Sequence, residues 1–203
     1  MARRRSAMLS SLLWSLLIKQ TKIILYMTPE EFTQKREEVI KGFVAMLVEK
    51  NNRYGNSALD PIHIFYKGSA TNSIEIRLDD KISRIMNSGK TNKNDMSDIL
   101  GYLILLIISH MQQAGEFDNL SFHDKVDVVM DKIRTLPEHE EPIGIFQSAK
   151  SKTEVEKVLR TIDYYIQCIR VQPNQEYYYL DMANEFIKYF VYKDITSFIE
   201  QID

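Results

Sequence analysis

The sequence has few of the residues that break or cross-link a chain. Its single cysteine, Cys168, excludes an internal disulfide and fits a reducing compartment, and its apolar helical surroundings predict a buried, inert thiol. Seven glycines and five prolines are few for 203 residues, and long periodic segments separate them. The sequence therefore predicts an all-α protein, and its length fits one domain or one domain with a helical extension.

Strong net charge and the common catalytic motifs are also missing. With 26 basic and 28 acidic residues the net charge is −2, so we expect no bulk attraction to nucleic acid and no direct nucleic-acid binding. There is no glycine-rich phosphate loop, nucleophile elbow, Cys-x-x-Cys pair or metalloprotease histidine pair. Chemistry in this chain would therefore rely on carboxylates and a divalent ion.

The first 27 residues differ in character from the rest. A basic start precedes an apolar run from Ala7 to Ile18, as in a signal peptide, but the run is short for a membrane span and Lys19 interrupts it. Three interpretations stay open: a start assigned too far upstream, with Met27 the true start; a membrane-associating or signal segment; and an extra docked helix. We expect a cytoplasmic protein of a bacterium or infected host cell, with membrane contact only if residues 1–26 are translated and retained.

A helical core is predicted over residues 28–114. Its first helix runs from Pro29 to about Asn51, because Thr28 and Glu31 can form a capping box and apolar residues follow at helical spacing. A long connection over residues 55–72 comes next, and it is either a functional loop or a packed connector. We expect three apolar residues to hold this connection on the core: Ile62, Ile64 and Phe65.

The second core helix, Ser73–Met86, is predicted to carry opposite charges on its two flanks. Helical spacing puts Glu75 and Asp79 on one side of the apolar stripe, and Lys81 and Arg84 on the other with Arg77 beside them. The plain interpretation is an amphipathic helix with solvated, ion-paired edges. The functional interpretation is one wall of a metal and phosphate site.

The third core helix is predicted to start at Asp95 with Asn94 as its N-cap. From Ile99 to Ile108 it is almost wholly apolar, which is typical of the central helix of a bundle. Asp95 and Asp98 lie in its first turn, where carboxylates complement the helix dipole. Asp98 should therefore lie at the mouth of the core.

A C-terminal helical extension is predicted over residues 115–203. The predicted helices are Phe122–Ile133 with Ser121 as N-cap, one from a capping box at Ser151 through Arg170, Glu176–Tyr192, and a separate short helix Ile195–Ile202. The third of these is rich in tyrosine and phenylalanine with few cations between them. This composition favours a packing or oligomer face over a platform for stacking nucleobases.

Three motifs in order carry a resemblance to a known family. They are Tyr54-Gly55-Asn56-Ser57, then Asp80-Lys81 with Arg84-Ile85, then Asp98-Ile99-Leu100-Gly101-Tyr102. Over about residues 30–113 the chain resembles the phage-borne nucleotide-modification-associated domain family, which is similar to the MazG-like all-α nucleoside triphosphate pyrophosphohydrolases. The resemblance implies a helical bundle, often a homo-oligomer, that acts on nucleotides.

The resemblance also implies a reaction and a metal. MazG-like enzymes cleave a nucleoside triphosphate between the α and β phosphates, using Mg²⁺ (Mn²⁺ as an alternative) held by an EExxE-type segment and an ExxD segment. Asp95-Met96-Ser97-Asp98 matches the second as DxxD, and Glu75 with Asp79 or Asp80 stands in place of the first at a different spacing.

We predict site residues from these matches. The metal ligands are Glu75, Asp79, Asp95 and Asp98, of which Asp98 and Asp79 are also catalytic. The substrate-binding residues are Lys50, Arg53, Tyr54, Asn56, Lys81, Arg84 and Tyr102. Arginine and lysine suit phosphate oxygens because they donate charge-assisted hydrogen bonds. The alternative is a catalytically silent nucleotide-binding module or a helical protein-interaction module with its partner on the Tyr177–Tyr192 face.

Overall fold

A computed structural model describes residues 27–65, 67–117, 119–137 and 153–200, with side chains up to residue 193. Its helices are α1 (Pro29–Tyr54), α2 (Ala70–Ser88), α3 (Lys93–Gln113), α4 (Phe122–Arg134), α5 (Glu154–Val171) and α6 (Gln175–Glu200). These described residues contain no strand, which confirms the all-α prediction. None of the described helices is both long enough and apolar enough to cross a membrane. The interpretations of residues 1–26 lie outside the described part.

Local capping chemistry sets where the helices begin. The predicted capping box of Thr28 and Glu31 opens α1, and Ser121 opens α4 as predicted. The start of α3 was predicted two residues late, because Asn92 rather than Asn94 accepts a hydrogen bond from the backbone N–H of Asp95. The predicted cap Ser151 lies outside the described residues, and α5 has Thr153 as its N-cap.

Helix α3 is the central helix of the bundle, as its apolar run predicts. It packs against α2, α4 and α6, and α6 in turn packs against α1, α4 and α5. The following residues of its apolar run are all at most 2% exposed: Ile99, Leu100, Leu103, Ile104, Leu106, Ile107 and Ile108. Burial on every side explains why this helix has almost no polar face.

The aromatic C-terminal segment forms part of the core rather than an open face. Helix α6 is continuous over Gln175–Glu200, so the predicted break before Ile195 is wrong. Tyr179, Phe186 and Tyr189 are buried, and the ring of Tyr179 stacks on His110 of α3 with centroids 5.3 Å apart. The packing interpretation of these aromatics is therefore confirmed for the buried residues.

Two smaller predictions about packing are wrong. The side chains of Ile62, Ile64 and Phe65 are 83%, 70% and 99% exposed, so they do not hold the α1–α2 connection on the core. Leu59 packs there instead. Cys168 is half-buried rather than buried, because it lies on the edge of the apolar face of α5.

Candidate functional site

Antiparallel packing of α2 and α3 brings the sequence motifs together. Near one end of the pair, the hydroxyl oxygens of Thr71 and Ser109 are 2.8 Å apart in a buried hydrogen bond. Near the other end, Lys81 Nζ lies 2.7 Å from Asp98 Oδ2. This register places the second half of α2, which carries the cations, beside the first turns of α3, which carry the carboxylates.

Asp98 is held between two lysines from different helices. Lys50 Nζ of α1 lies 3.0 Å from Oδ1, and Lys81 Nζ of α2 donates to Oδ2. Burial opposes ionisation of Asp98, but the hydrogen bonds and charges of Lys81 and Lys50 outweigh it and hold the pKa of Asp98 below its usual range. The Asp98 side chain is 25% exposed, so it lies at the mouth of the core as predicted.

Asp95 is more enclosed than Asp98 and has a structural partner. Its carboxylate accepts a hydrogen bond from the side-chain amide of Asn92, the N-cap of α3. Lys81 Nζ and Arg84 Nη1 lie 3.9 and 4.0 Å from Asp95 Oδ1. The first two turns of α3 therefore present two carboxylates, one turn apart, and three cations lie close to them: Lys50, Lys81 and Arg84.

A pocket of about 460 Å³ opens beside Asp98. Five elements line it: α1 with Met46, Leu47, Lys50, Asn51 and Tyr54; the following loop with Asn56, Ser57 and Ala58; α2 with Arg77; α3 with Asp98, Gly101, Tyr102 and Leu105; and α4 with Phe122. We call this space the α1–α3 pocket. Its walls combine apolar and aromatic side chains with a few amide, hydroxyl and charged groups.

Glycine and arginine shape the wall that α3 contributes. At Gly101 a Cβ atom would lie in ordinary contact, 3.4 Å from Leu47 Cδ2, and the absence of this atom leaves room in the pocket. The guanidinium carbon of Arg77 lies 5.9 Å from the centroid of the Tyr102 ring, within the range of a cation–π contact.

The structure brings most of the predicted substrate residues together. Lys50, Tyr54, Asn56 and Tyr102 all line the α1–α3 pocket with Asp98. Lys81 and Arg84 lie next to it, on Asp98 and Asp95. Arg53 is not among the residues that line the pocket: its side chain is 64% exposed, and its Nη2 lies 2.6 Å from Glu49 Oε1.

The predicted first acidic segment does not join the carboxylates of α3. Glu75 and Asp79 are both exposed on α2. The charge of Glu75 is felt by His110, near the C-terminal end of α3, where it raises the pKa that burial lowers. Burial nevertheless holds the pKa of His110 below its usual range. Within the described ranges, no group of three or more His, Cys, Asp or Glu side chains is placed to hold a metal ion.

Several pocket residues were missed at the level of sequence. Asn51 lies one residue after Lys50, so its proximity to the predicted substrate residues was a usable signal. Arg77 was recognised only as part of a charged flank. Phe122 gave no signal at all, because α4 reaches the pocket through tertiary packing that no local pattern encodes.

Comparison with known proteins adds no identification. No family model, curated protein or solved structure matches this chain. The resemblance to nucleotide-modification-associated and MazG-like proteins therefore stays a prediction.

Proposed function

We propose that this protein binds a nucleoside triphosphate in the α1–α3 pocket and hydrolyses it, with Mg²⁺, to a nucleoside monophosphate and pyrophosphate. One observation carries the proposal. Residues from three separate segments meet at one place: Asn56 and Tyr102 line a pocket together with Asp98, Lys81 pairs with Asp98, and the pocket is large enough for a nucleoside.

The pocket has the composition that a nucleoside needs. Leu47, Leu105 and Phe122 offer apolar contact to a planar base, and the ring of Tyr102 is close enough to join them. The amides of Asn51 and Asn56 offer both donors and acceptors to polar edges of a base or sugar. A largely apolar cavity with a few polar groups is the usual form of a small-molecule site.

The cations beside Asp98 suit the phosphates. Lys50 and Lys81 have flexible side chains whose ammonium groups can leave Asp98 for phosphate oxygens, and Arg84 is 64% exposed and free to turn toward a ligand. A triphosphate would therefore replace the carboxylate as the partner of these lysines. The carboxylates would then be released for a divalent ion.

The donor chemistry of Asp95 and Asp98 fits Mg²⁺ that is shared with phosphate. Magnesium is commonly held by one or two carboxylates, waters and substrate phosphates rather than by a complete protein cage. When bound, the ion neutralises phosphate charge and activates water. In the net reaction a water oxygen bonds to the α-phosphorus, the bond from this phosphorus to the α–β bridging oxygen breaks, and pyrophosphate leaves.

A catalytically silent nucleotide-binding module is the second candidate. It is favoured by the exposure of Glu75 and Asp79, which leaves the carboxylates of α3 without the second acidic segment that the resemblance implies. The protein-interaction alternative has less support, because Tyr179, Phe186 and Tyr189 are buried within the chain.

One assay separates the two candidates. Canonical and modified deoxynucleoside triphosphates are screened for thermal stabilisation with Mg²⁺ and with EDTA, and pyrophosphate release is measured in the same samples. We expect Asp98→Ala to reduce release by more than about 100-fold, because even outer partners of a metal ligand contribute about 10- to 100-fold. Exposed Asp163→Ala on α5 is the matched control and should keep full activity.

The outcomes are distinct. Pyrophosphate release that Asp98→Ala retains would refute the assignment of Asp98. Stabilisation by a nucleotide without release in the native protein would establish the silent module. The exposed position of Asp79 predicts that Asp79→Ala loses much less activity than Asp98→Ala, and an equal loss would place Asp79 in the site as the resemblance implies.

A further inference from the structure

A histidine joins the central helix to the helix that covers it. His110 lies in the last turn of α3, at the opposite end of that helix from Asp98. Its ring stacks on the ring of Tyr179, near the start of α6, with centroids 5.3 Å apart and planes inclined by 23°. Tyr179 is only 7% exposed, so the stack is an aromatic contact inside the α3–α6 joint.

One nitrogen of this histidine has no partner. His110 Nε2 is buried and forms no hydrogen bond with any residue in the part of the chain that the structure describes. A buried polar atom without a partner is rare, because it loses water and gains nothing in return. A neutral imidazole can leave this nitrogen as an unused acceptor, whereas a protonated imidazole must carry an N–H there. Protonation therefore makes the buried position of the ring less favourable.

Charged and titratable groups of three neighbouring helices surround the ring. Burial lowers the pKa of His110 below its usual value of 6.5, although the charges of Glu75 on α2 and Glu176 on α6 act in the opposite direction. Helix α4 contributes Lys132, whose Nζ lies 2.7 Å from Glu176 Oε1. Burial raises the pKa of the Tyr179 hydroxyl, so this group stays neutral. Histidine ordinarily changes charge between about pH 5 and pH 8, so His110 is the group in this cluster that mild acid titrates.

The two carboxylates do not offer the protonated ring a ready acceptor. Glu176 is held by Lys132, which also lies 3.2 Å from Glu116 Oε2 in the α3–α4 connection. Glu75 is exposed to water on α2. The attraction of both carboxylates is already included in the balance that burial dominates, so it does not keep a charged ring in the stack.

Proton binding and release of the ring are linked. A ring that leaves the stack regains water, and its pKa returns toward the ordinary value. Protons therefore bind the released form more tightly than the stacked form and shift the equilibrium toward release. The stack is at full strength above pH 6.5 and weakens as the pH falls through the lowered pKa of His110.

We propose that His110 and Tyr179 form an acid-sensitive latch between α3 and α6, in which protonation of His110 in mild acid breaks the ring stack and loosens the first turn of α6 on α3. The change is local, because Phe186 and Ile187 keep the middle of α6 in the core. The latch uses no residue of the α1–α3 pocket and does not depend on the proposed function.

The test is an NMR titration of the full chain, without nucleotide, between about pH 7 and about pH 5. It follows the ring protons of His110 and their through-space contacts with the ring of Tyr179. We expect these contacts to be lost in step with protonation of His110. Contacts between Phe43 and Phe190, whose centroids are 5.1 Å apart elsewhere in the core, should be kept throughout.

Two variants separate a latch from an ordinary packing contact. His110→Phe keeps a ring beside Tyr179 but cannot bind a proton, so its contacts should persist over the whole pH range. Glu75→Gln removes a charge that favours the protonated ring, so it should shift the midpoint of His110 to lower pH. Exposed Asp79→Asn, one turn further along α2, is the matched control and should leave the midpoint unchanged.

The following outcomes would overturn the latch. His110 might titrate while its contacts with Tyr179 persist, or stay neutral down to about pH 5. The contacts might be lost in His110→Phe as well, or together with those of Phe43 and Phe190, which would indicate general unfolding. If His110→Phe does not fold, Glu75→Gln decides alone, because its side chain is exposed, and an unchanged midpoint in that variant refutes the assignment.

Discussion

Two carboxylates in this molecule, Asp98 and Asp181, are held in very different ways. Asp98 is 25% exposed and its partners are two lysines, of which Lys50 is 45% exposed. Asp181 is 6% exposed and accepts a hydrogen bond at 2.9 Å from the hydroxyl of Tyr165, which is itself only 3% exposed. One carboxylate has two charged partners, Lys50 at the surface and Lys81 at 15% exposure, and the other has a neutral aromatic partner inside the α5–α6 contact.

The difference separates an exchangeable site from a fixed one. A lysine can leave Asp98 for a ligand because water and phosphate can replace the carboxylate as its partner. Tyr165 cannot leave Asp181 without breaking the packing of two helices, and burial beside Asp181 raises the pKa of the Tyr165 hydroxyl well above its usual range. Burial of an acidic residue is therefore a weaker sign of function here than the presence of charged partners that a ligand can replace.

The largest expected effect lies at the fixed carboxylate. Tyr165→Phe removes the hydroxyl that donates to Asp181 and should lower the free energy of unfolding by about 1 to 3 kcal/mol, with no change in nucleotide binding. Denaturant unfolding measures the first and calorimetry the second. Tyr164→Phe, the 41% exposed neighbour, is the control and should change stability by less than about 0.5 kcal/mol. An equal loss of unfolding free energy in Tyr165→Phe and Tyr164→Phe would contradict the fixed role assigned to the Tyr165–Asp181 hydrogen bond.

A smaller effect, dependent on pH, is expected at Asp98. Because its pKa is lowered on folding from an ordinary value of 3.8, its stabilising effect is complete above that value and is lost as the pH falls through the lowered pKa. At neutral pH Asp98→Asn should cost less than about 1 kcal/mol, because the pair is partly solvated. The difference in unfolding free energy between wild type and variant should begin to shrink below pH 3.8 and should vanish only below the lowered pKa of folded Asp98.

Asp79→Asn is the matched control for this measurement. Asp79 is exposed and forms no ion pair with another described residue, so its substitution should give no such pH-dependent difference. A difference for Asp98→Asn that grows as the pH falls would contradict the assigned direction of the shift.

The smallest expected effect on stability is at Gly101, where fold and pocket meet. Gly101→Ala adds a Cβ at ordinary contact distance from Leu47 and improves helix propensity, so stability should change by less than about 1 kcal/mol. The added methyl occupies the pocket wall and should weaken nucleotide binding by about tenfold. Gly42→Ala on α1, with no atom within 4 Å of its added Cβ, should leave binding unchanged. Unchanged binding in both variants would place the nucleoside elsewhere.

The parts of the fold that sequence predicts well depend on near neighbours along the chain. Thr28 with Glu31, and Ser121 before α4, could be identified because a cap and its acceptor lie three residues apart. The central position of α3 could also be predicted from local sequence, because its apolar run is continuous. The cap of α3 was predicted at Asn94, although Asn92 and Asp95 also lie three residues apart and exchange the hydrogen bonds that open the helix.

The site was harder to predict because it depends on which helices meet. Helical spacing places Glu75 and Asp79 on one flank of α2, yet it does not say what lies opposite that flank. The resemblance supplied Asn56, Lys81, Asp98 and Tyr102, which the structure gathers around one carboxylate or its pocket.

Continuity of α6 has a consequence for how this chain can evolve. The helix lies outside the stretch that carries the family resemblance, yet it covers α3, α1 and α4 from residue 175 onward. A recombinant protein that kept residues 28–114 but had a different C-terminal half would expose to water the apolar face of α3 that α6 now covers. Exchange of that half is therefore viable only with a replacement that presents a matching apolar row, so the two halves should be inherited together.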